Sequence, residues 1–310
     1  MSIINKINYL NQIRKYYLTM LGFDRREEIK KVNFEPCAVC NINCAYCNFE
    51  HKNNREKFLD KYVFLKVLSE LYVGPYNLKQ ISLSQSGEVL LHPDFKELVR
   101  MLKTYKDLGL RTKRIVMNTN LMLLTEDIID FLLDIDVFTI ISCSIDGKNK
   151  ESFERLRKGA DYDKCMKNFL HLVRKKSIRN NKKLEIRVNN GNDIHSNKLY
   201  YDDDFFNTIY LADKVIKYDF HDWNGNIDVE GYKPSVNKGF CQFMFNTVLI
   251  TTDGGVAKCC NDLNASTVYG NIKSKTLNEV YHSDRRKEYL KLMYNNKRYM
   301  VKGCEKCTRE

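Results

Sequence analysis

Eight residues constrain this chain more than any other stretch: Cys40-Asn-Ile-Asn-Cys44-Ala-Tyr-Cys47. The C-x3-C-x2-C spacing lets one turn of loop aim three sulfurs at a common point. Three soft thiolates suit an iron–sulfur cluster or zinc. A structural zinc site takes four ligands, usually from C-x2-C pairs. Three thiolates on a 4Fe–4S cube instead leave one iron open to a small chelating molecule. The loop alone also allows two plainer readings, three buried thiols or half of a zinc site.

The cysteines elsewhere support metal. There are 11 in 310 residues. Cys37 joins the loop group, Cys241, Cys259 and Cys260 form a second group, and Cys304 and Cys307 form a C-x2-C pair at the end. Only Cys143 and Cys165 stand apart, as small apolar core residues would. No apolar run is long enough to span a membrane, and the start, Met1-Ser-Ile-Ile-Asn-Lys, lacks the apolar block of a signal peptide. The expectation is a cytoplasmic chain, where grouped cysteines bind metal rather than pair. The formal charge of +12 raises nucleic acid as a partner. Yet basic runs such as Arg174-Lys-Lys and Lys182-Lys occur singly, without aromatic residues between them. They read as solvated helix faces, which argues against nucleic acid.

Periodicity then orders the chain. Residues 5–21 read as an amphipathic helix, and Val32 and Phe34 as a first strand. Alternation follows: helix 57–71, strand 80–84, helix from Asp94 to about Tyr105, strand 114–118, and a helix capped by Thr125. Next come an apolar strand 137–145, helices near 150–157 and 161–175, strand 184–189, helix 204–212 and strand 215–220. Such alternation predicts an α/β chain with a parallel sheet and right-handed crossovers.

Several strand ends carry small polar residues. They are Ser84-Gln-Ser86-Gly87-Glu88-Val-Leu-Leu-His-Pro, Thr119-Asn120-Leu121, Ser142-Cys-Ser144-Ile-Asp146-Gly147 and, after a helix, Arg157-Lys-Gly. With the cysteine loop, these resemble the radical S-adenosylmethionine (SAM) enzymes. The first resembles that family's Gly-Gly-Glu-Pro, with Ser86 and Val89 replacing its first glycine and its proline. The second resembles Thr-Asn-Gly, with Leu121 replacing the glycine. The third resembles Ser-x-Asp-Gly, and the last Arg-x-Gly. The resemblance implies a partial (β/α)6 barrel with its chemistry at the C-terminal strand ends. It implies that Cys40, Cys44 and Cys47 hold a 4Fe–4S cluster whose open iron chelates SAM. Tyr46 would lie against the adenine. Ser86, Gly87, Glu88, Asn120 and Ser144 would contact SAM, and Arg157 would pair with its carboxylate. His221 and Trp223 follow the sixth strand and read either as a substrate-facing wall or as an ordinary turn.

The segment from 238 changes character. Ile250-Thr-Thr-Asp-Gly-Gly-Val-Ala predicts a β-hairpin that brings Cys241 and Cys259 together. With Cys304 and Cys307, four thiolates would saturate zinc or a second 4Fe–4S cluster. The stretch resembles the SPASM or twitch appendage of the same family, a small hairpin-plus-helix domain. That resemblance implies an auxiliary cluster on Cys241, Cys259, Cys304 and Cys307. Three parts are expected: a helix at 1–32, the barrel at 33–237 and the appendage at 238–310. Cys260 is left over beside a ligand, either as a hydrogen donor of an epimerase or as a structural thiol.

The implied activity is reductive cleavage of SAM and hydrogen abstraction from a substrate, with flavodoxin or ferredoxin as reductant. About thirty residues precede the barrel, so the expected substrate is a small sugar or aminocyclitol, to be oxidised or epimerised. A peptide substrate is the alternative, and a non-enzymatic iron–sulfur or zinc protein a more distant one.

Overall fold

The computed structural model describes residues 28–47, 57–191, 202–220, 241–262 and 265–307. The helix expected at 5–21 and the pair His221 and Trp223 lie outside the described residues.

Six parallel strands form the frame: β1 (Lys31–Phe34), β3 (Gln80–Leu83), β4 (Ile115–Thr119), β5 (Ile140–Ser144), β7 (Glu185–Gly191) and β8 (Lys214–Tyr218). Each pairs in parallel with the next. Between them run helices α1 (Lys61–Val73), α2 (Phe95–Asp107), α3 (Glu126–Ile135), α4 (Lys150–Leu156), α5 (Tyr162–Ile178) and α6 (Asp203–Ile209). Residues such as Val32, Ile81, Met117, Ile141 and Val188 are almost fully buried, as expected of a sheet covered by helices.

Helix starts follow their caps. The first helix begins at Lys61 rather than near Lys57, because the Asp60 carboxylate accepts from the N–H groups of Tyr62 and Val63. Thr125 caps α3 as expected, accepting from Ile128 N. Asn149 and Ser152 form a reciprocal capping box on α4.

Two features of the sheet were not expected. A short antiparallel pair joins β2 (Asn43–Cys44) in the cysteine loop to β6 (Arg157–Lys158). The appendage, moreover, does not form a separate sheet. Its strand β9 (Thr247–Ile250) pairs in parallel with β1, residue for residue from Lys31↔Thr247 to Phe34↔Ile250. The hairpin is present: β10 (Gly255–Ala257) folds back on β9, with Gly254 at φ +82 in the turn. With β11 (Val268–Asn271) the result is one sheet of nine strands, ordered β11-β10-β9-β1-β3-β4-β5-β7-β8. Helices α7 (Gln242–Asn246), α8 (Leu277–Tyr281) and α9 (Asp284–Tyr294) complete the appendage. Its Leu277, Val280 and Met293 belong to the same buried cluster as barrel residues such as Phe34 and Phe64.

Candidate active site

The cysteine loop is gripped from two sides by barrel strand ends. On one side Gly87 lies against its backbone: Glu88 N donates to Val39 O at 2.9 Å. A Cβ on Gly87 would stand 2.2 Å from Val39 O, and its φ is +66. Glycine is therefore required here both for conformation and for close approach. On the other side Arg157 faces Cys44 across the β2–β6 pair, with Nη1 3.9 Å from Cys44 Sγ.

Glu88 is buried and accepts three hydrogen bonds. They come from Leu90 N (3.2 Å), Thr119 Oγ1 (2.9 Å) and Asn120 N (2.7 Å). It thus ties the end of β3 to the end of β4. Burial nonetheless pushes its carboxyl up from the ordinary range. Asn120 in turn donates from Nδ2 to Asn41 Oδ1 at 2.9 Å, with Cys40 Sγ 3.7 Å away. Leu121, at the place where the resemblance has glycine, sits at φ +70 and is fully buried. Ser144 is half-buried where it closes β5.

The acid that organises the far side is Asp146, which the sequence showed only as part of the Ser-x-Asp-Gly stretch, without a role of its own. Its Oδ1 accepts from Gly191 N at 2.6 Å and Tyr218 Oη at 3.1 Å. Its Oδ2 accepts from Arg157 Nε at 2.6 Å and from the Tyr46 hydroxyl. Burial pushes both phenols up, so both remain protonated donors. Arg157 Nε is held by Asp146, because a guanidinium this buried needs a fixed counter-charge. Tyr46 stacks on Phe220, ring centroids 4.0 Å apart. The only sequence signal for these partners was Asp-Gly after an apolar strand.

The second cysteine group assembles around the hairpin. Cys241 caps α7, Cys259 follows β10, and Cys304 and Cys307 close the chain. Cys304 is pushed up to about 12 by burial, with the Cys307, Cys241 and Cys259 thiolates adding to it. Lys258, almost fully buried, binds Asp262 Oδ2 (2.8 Å), Thr267 Oγ1 (3.0 Å) and Lys302 O (2.8 Å), stapling the Cys259 and Cys304 segments together. Arg298 Nη2 lies 2.7 Å from Cys307 Sγ. Cys260 is half-buried, and its carbonyl accepts from Gln85 Nε2 at 2.5 Å.

Both sites fit iron–sulfur chemistry. Burial pushes Cys40 up to about 11 and also raises Cys44, so ionising these thiols requires a metal charge that displaces their protons. Cys37, a neighbour in sequence, is fully buried with its thiol against Val89 O, outside the loop group. The Ser86 hydroxyl is buried with no hydrogen-bond partner among the described residues, as a ligand contact would leave it. The donors around the sulfurs are amides and guanidinium groups, which suit thiolates. Among the described residues no group of three or more His, Cys, Asp or Glu side chains is already placed to hold a metal ion, so the fit rests on the type and spacing of the thiols. No described helix is long and apolar enough to cross a membrane.

Comparison with known proteins agrees. BtrN, solved with AdoMet and 2-DOIA, superposes with a TM-score of 0.62 at 18% identity, over 91% of this chain and 93% of that one. anSMEcpe with bound AdoMet gives 0.61 at 17% identity, covering 89% and 86%. Streptococcus suis SuiB bound to precursor peptide SuiA gives 0.66 at 14% identity, covering 99% and 76%. These likenesses concern the fold. A curated relative, the tungsten-containing aldehyde ferredoxin oxidoreductase cofactor-modifying protein of Pyrococcus furiosus, is 30% identical over 109 residues. That match spans 35% of this chain and 29% of the relative. The iron–sulfur cluster-binding domain named SPASM matches residues 241–308, and the radical SAM superfamily model matches residues 34–191. The chain belongs to the radical SAM superfamily, with the 4Fe–4S cluster and SAM which that membership entails and a SPASM iron–sulfur domain at its C-terminal end.

Proposed function

We infer that the chain oxidises or epimerises a small polar molecule, with Cys40, Cys44 and Cys47 holding the SAM-cleaving cluster. Cys241, Cys259, Cys304 and Cys307 hold one auxiliary cluster in this reading. When bound, the first cluster delivers an electron to SAM, giving methionine and a 5′-deoxyadenosyl radical that takes a hydrogen atom from substrate carbon. The protein's part is to position the reactants and exclude water. Ser86, Gly87, Glu88, Asn120 and Ser144 present the polar wall for SAM. Asp146 fixes Arg157 and Tyr46 opposite them.

The observation that carries the reading is the Gln85–Cys260 hydrogen bond. It joins the residue beside Cys259 to the segment read here as lining SAM, which supports an auxiliary site next to the barrel mouth. Two outcomes follow for a substrate radical there. Losing one electron to the auxiliary site and one proton to solvent gives an oxidised product. Alternatively the Cys260 S–H bond breaks and a new C–H bond forms on the opposite face. The thiyl left on Cys260 then takes one electron from the external reductant, a flavodoxin or ferredoxin, and one proton from solvent. A cavity of about 340 Å³ at the ends of β5, β7 and β8, walled by Lys148, Asn190, Lys217 and Tyr218, suits a polar ligand. The near-complete mutual coverage with BtrN supports a small substrate. The SuiB likeness supports a second reading, a peptide substrate.

Anaerobic incubation with SAM and dithionite should release 5′-deoxyadenosine. With substrate in deuterated water, an epimerase labels the inverted carbon and requires Cys260, whereas a dehydrogenase gives an unlabelled oxidised product and tolerates Cys260→Ala. No 5′-deoxyadenosine from iron-replete protein would sink the reading.

A further inference from the structure

Two buried polar side chains belong to the elements that carry the second cysteine group, and one of them reaches a sulfur directly. Arg298 opens the last 3-10 turn (Arg298–Met300) and is 1% exposed. Its Nη2 lies 2.7 Å from Cys307 Sγ. Tyr269, on β11, is 6% exposed. Its hydroxyl is buried with no hydrogen-bond partner among the described residues. Tyr269 follows Val268, which pairs with Ala257 of β10 two residues before Cys259, so its strand runs beside the Cys259 segment. A buried hydroxyl without an acceptor is costly, and folds retain one chiefly where an acceptor arrives with a ligand. Cluster sulfur is such an acceptor.

Lys258, also buried here, plays a different part. Lys258 is matched by Asp262 at 2.8 Å and adds no net charge. The loop cluster differs too: Arg157 approaches Cys44 only to 3.9 Å and commits its Nε to Asp146.

This step rests on the ligand assignment above. We propose that Arg298 and Tyr269 are the two donors that set the reduction potential of the cluster held by Cys241, Cys259, Cys304 and Cys307. Each stabilises the extra negative charge of the reduced cluster by a hydrogen bond into its sulfur shell, which raises its potential. The auxiliary site is thereby tuned to accept an electron, not merely to brace the fold.

The test uses the full chain carrying Cys40→Ala/Cys44→Ala/Cys47→Ala, so that only the auxiliary cluster remains. EPR-monitored redox titration is compared with and without Tyr269→Phe or Arg298→Met, alongside iron analysis. Each added substitution should keep about four irons per chain. Each should lower the reduced fraction at a fixed poise by about tenfold, a shift of about 59 mV to more negative potential for one electron. Unchanged potentials with iron retained overturn the proposal. If Arg298→Met sheds its cluster, Tyr269→Phe, which removes a single oxygen, decides alone. A triple-alanine chain that takes up zinc or no iron would refute the ligand assignment, and the proposal with it. Iron analysis distinguishes that failure from an unmoved potential.

Discussion

The side-chain amide of Gln85 donates a 2.5 Å hydrogen bond to the backbone carbonyl of Cys260, across 175 residues of sequence. One partner precedes Ser86-Gly87-Glu88 and the other follows Cys259, so a single bond links the turn after β3 to the loop after β10. Gln85→Ala should cost about 1 kcal/mol in urea unfolding, the usual net worth of one hydrogen bond. Iron content should not change. The ratio of 5′-deoxyadenosine to product should rise, because the loop beside the substrate loses its register. An unchanged ratio would show the link to be idle in catalysis.

Asp146→Asn should be the most damaging isosteric change in the barrel. It leaves the buried guanidinium of Arg157 without its carboxylate, a loss of about 3–5 kcal/mol for a broken buried pair. It also weakens the acceptor of the Tyr46 and Tyr218 hydroxyls. Thermal unfolding should register the loss, and SAM affinity should fall with it. Stability within about 1 kcal/mol of wild type would show that the pair contributes no more than an exposed one.

Glu88→Gln tests a different geometry. All three groups that meet this carboxylate are donors, so an amide must set its own N–H₂ against one of them. About 1–3 kcal/mol should be lost at the β3–β4 junction, the cost of leaving a buried donor unsatisfied. SAM binding by equilibrium dialysis should weaken about tenfold, equivalent to about 1.4 kcal/mol, with both clusters retained. Full SAM affinity would place Glu88 outside the ligand's reach and outside the scaffold that shapes its site.

His92 gives a pH signature. Its Nδ1 accepts from Asp94 N at 3.0 Å, and its Nε2 meets Leu59 O at 2.9 Å, so the neutral ring with hydrogen on Nε2 satisfies both. Burial holds its pKa below the ordinary value. A depressed folded value means that the unfolded chain binds the proton more readily. The stabilisation is present above the unfolded value of about 6.5 and is lost as pH falls through the lower folded value. Urea unfolding at pH 7.5 and 5 should show that loss, and His92→Gln should flatten it. Equal pH dependence in both proteins would remove His92 from the account.

Much of the frame was legible because its causes are local. The six parallel strands follow from apolar runs between amphipathic helices, and their observed limits differ from expectation by a few residues at most. The hairpin followed from Asp253-Gly254, since a turn at φ +82 suits glycine. The C-x3-C-x2-C loop announced its chemistry because thiolate type and spacing are written in consecutive residues.

What stayed hidden depends on groups far apart in the chain. Asp146 had no assigned role within its Ser-x-Asp-Gly stretch, yet Tyr46, Arg157, Gly191 and Tyr218 converge on it. Leu121 looked like a departure from the expected glycine. The structure keeps the left-handed backbone at φ +70 and buries the side chain completely, so packing offsets a strain of about 1–2 kcal/mol. The appendage looked separate, but β9 completes the open edge of β1.

The sequence by itself therefore determined the alternating α/β order and the two cysteine groups, because periodicity, turn chemistry and thiol spacing act over a few residues. Only the tertiary structure decided that the two groups share one sheet, that Arg157 answers to Asp146, and that Gln85 holds the Cys260 loop at the barrel mouth. Those relations are set when buried charges and backbone groups must find partners away from water. Which partners come within reach is a property of the folded chain, not of any stretch of it.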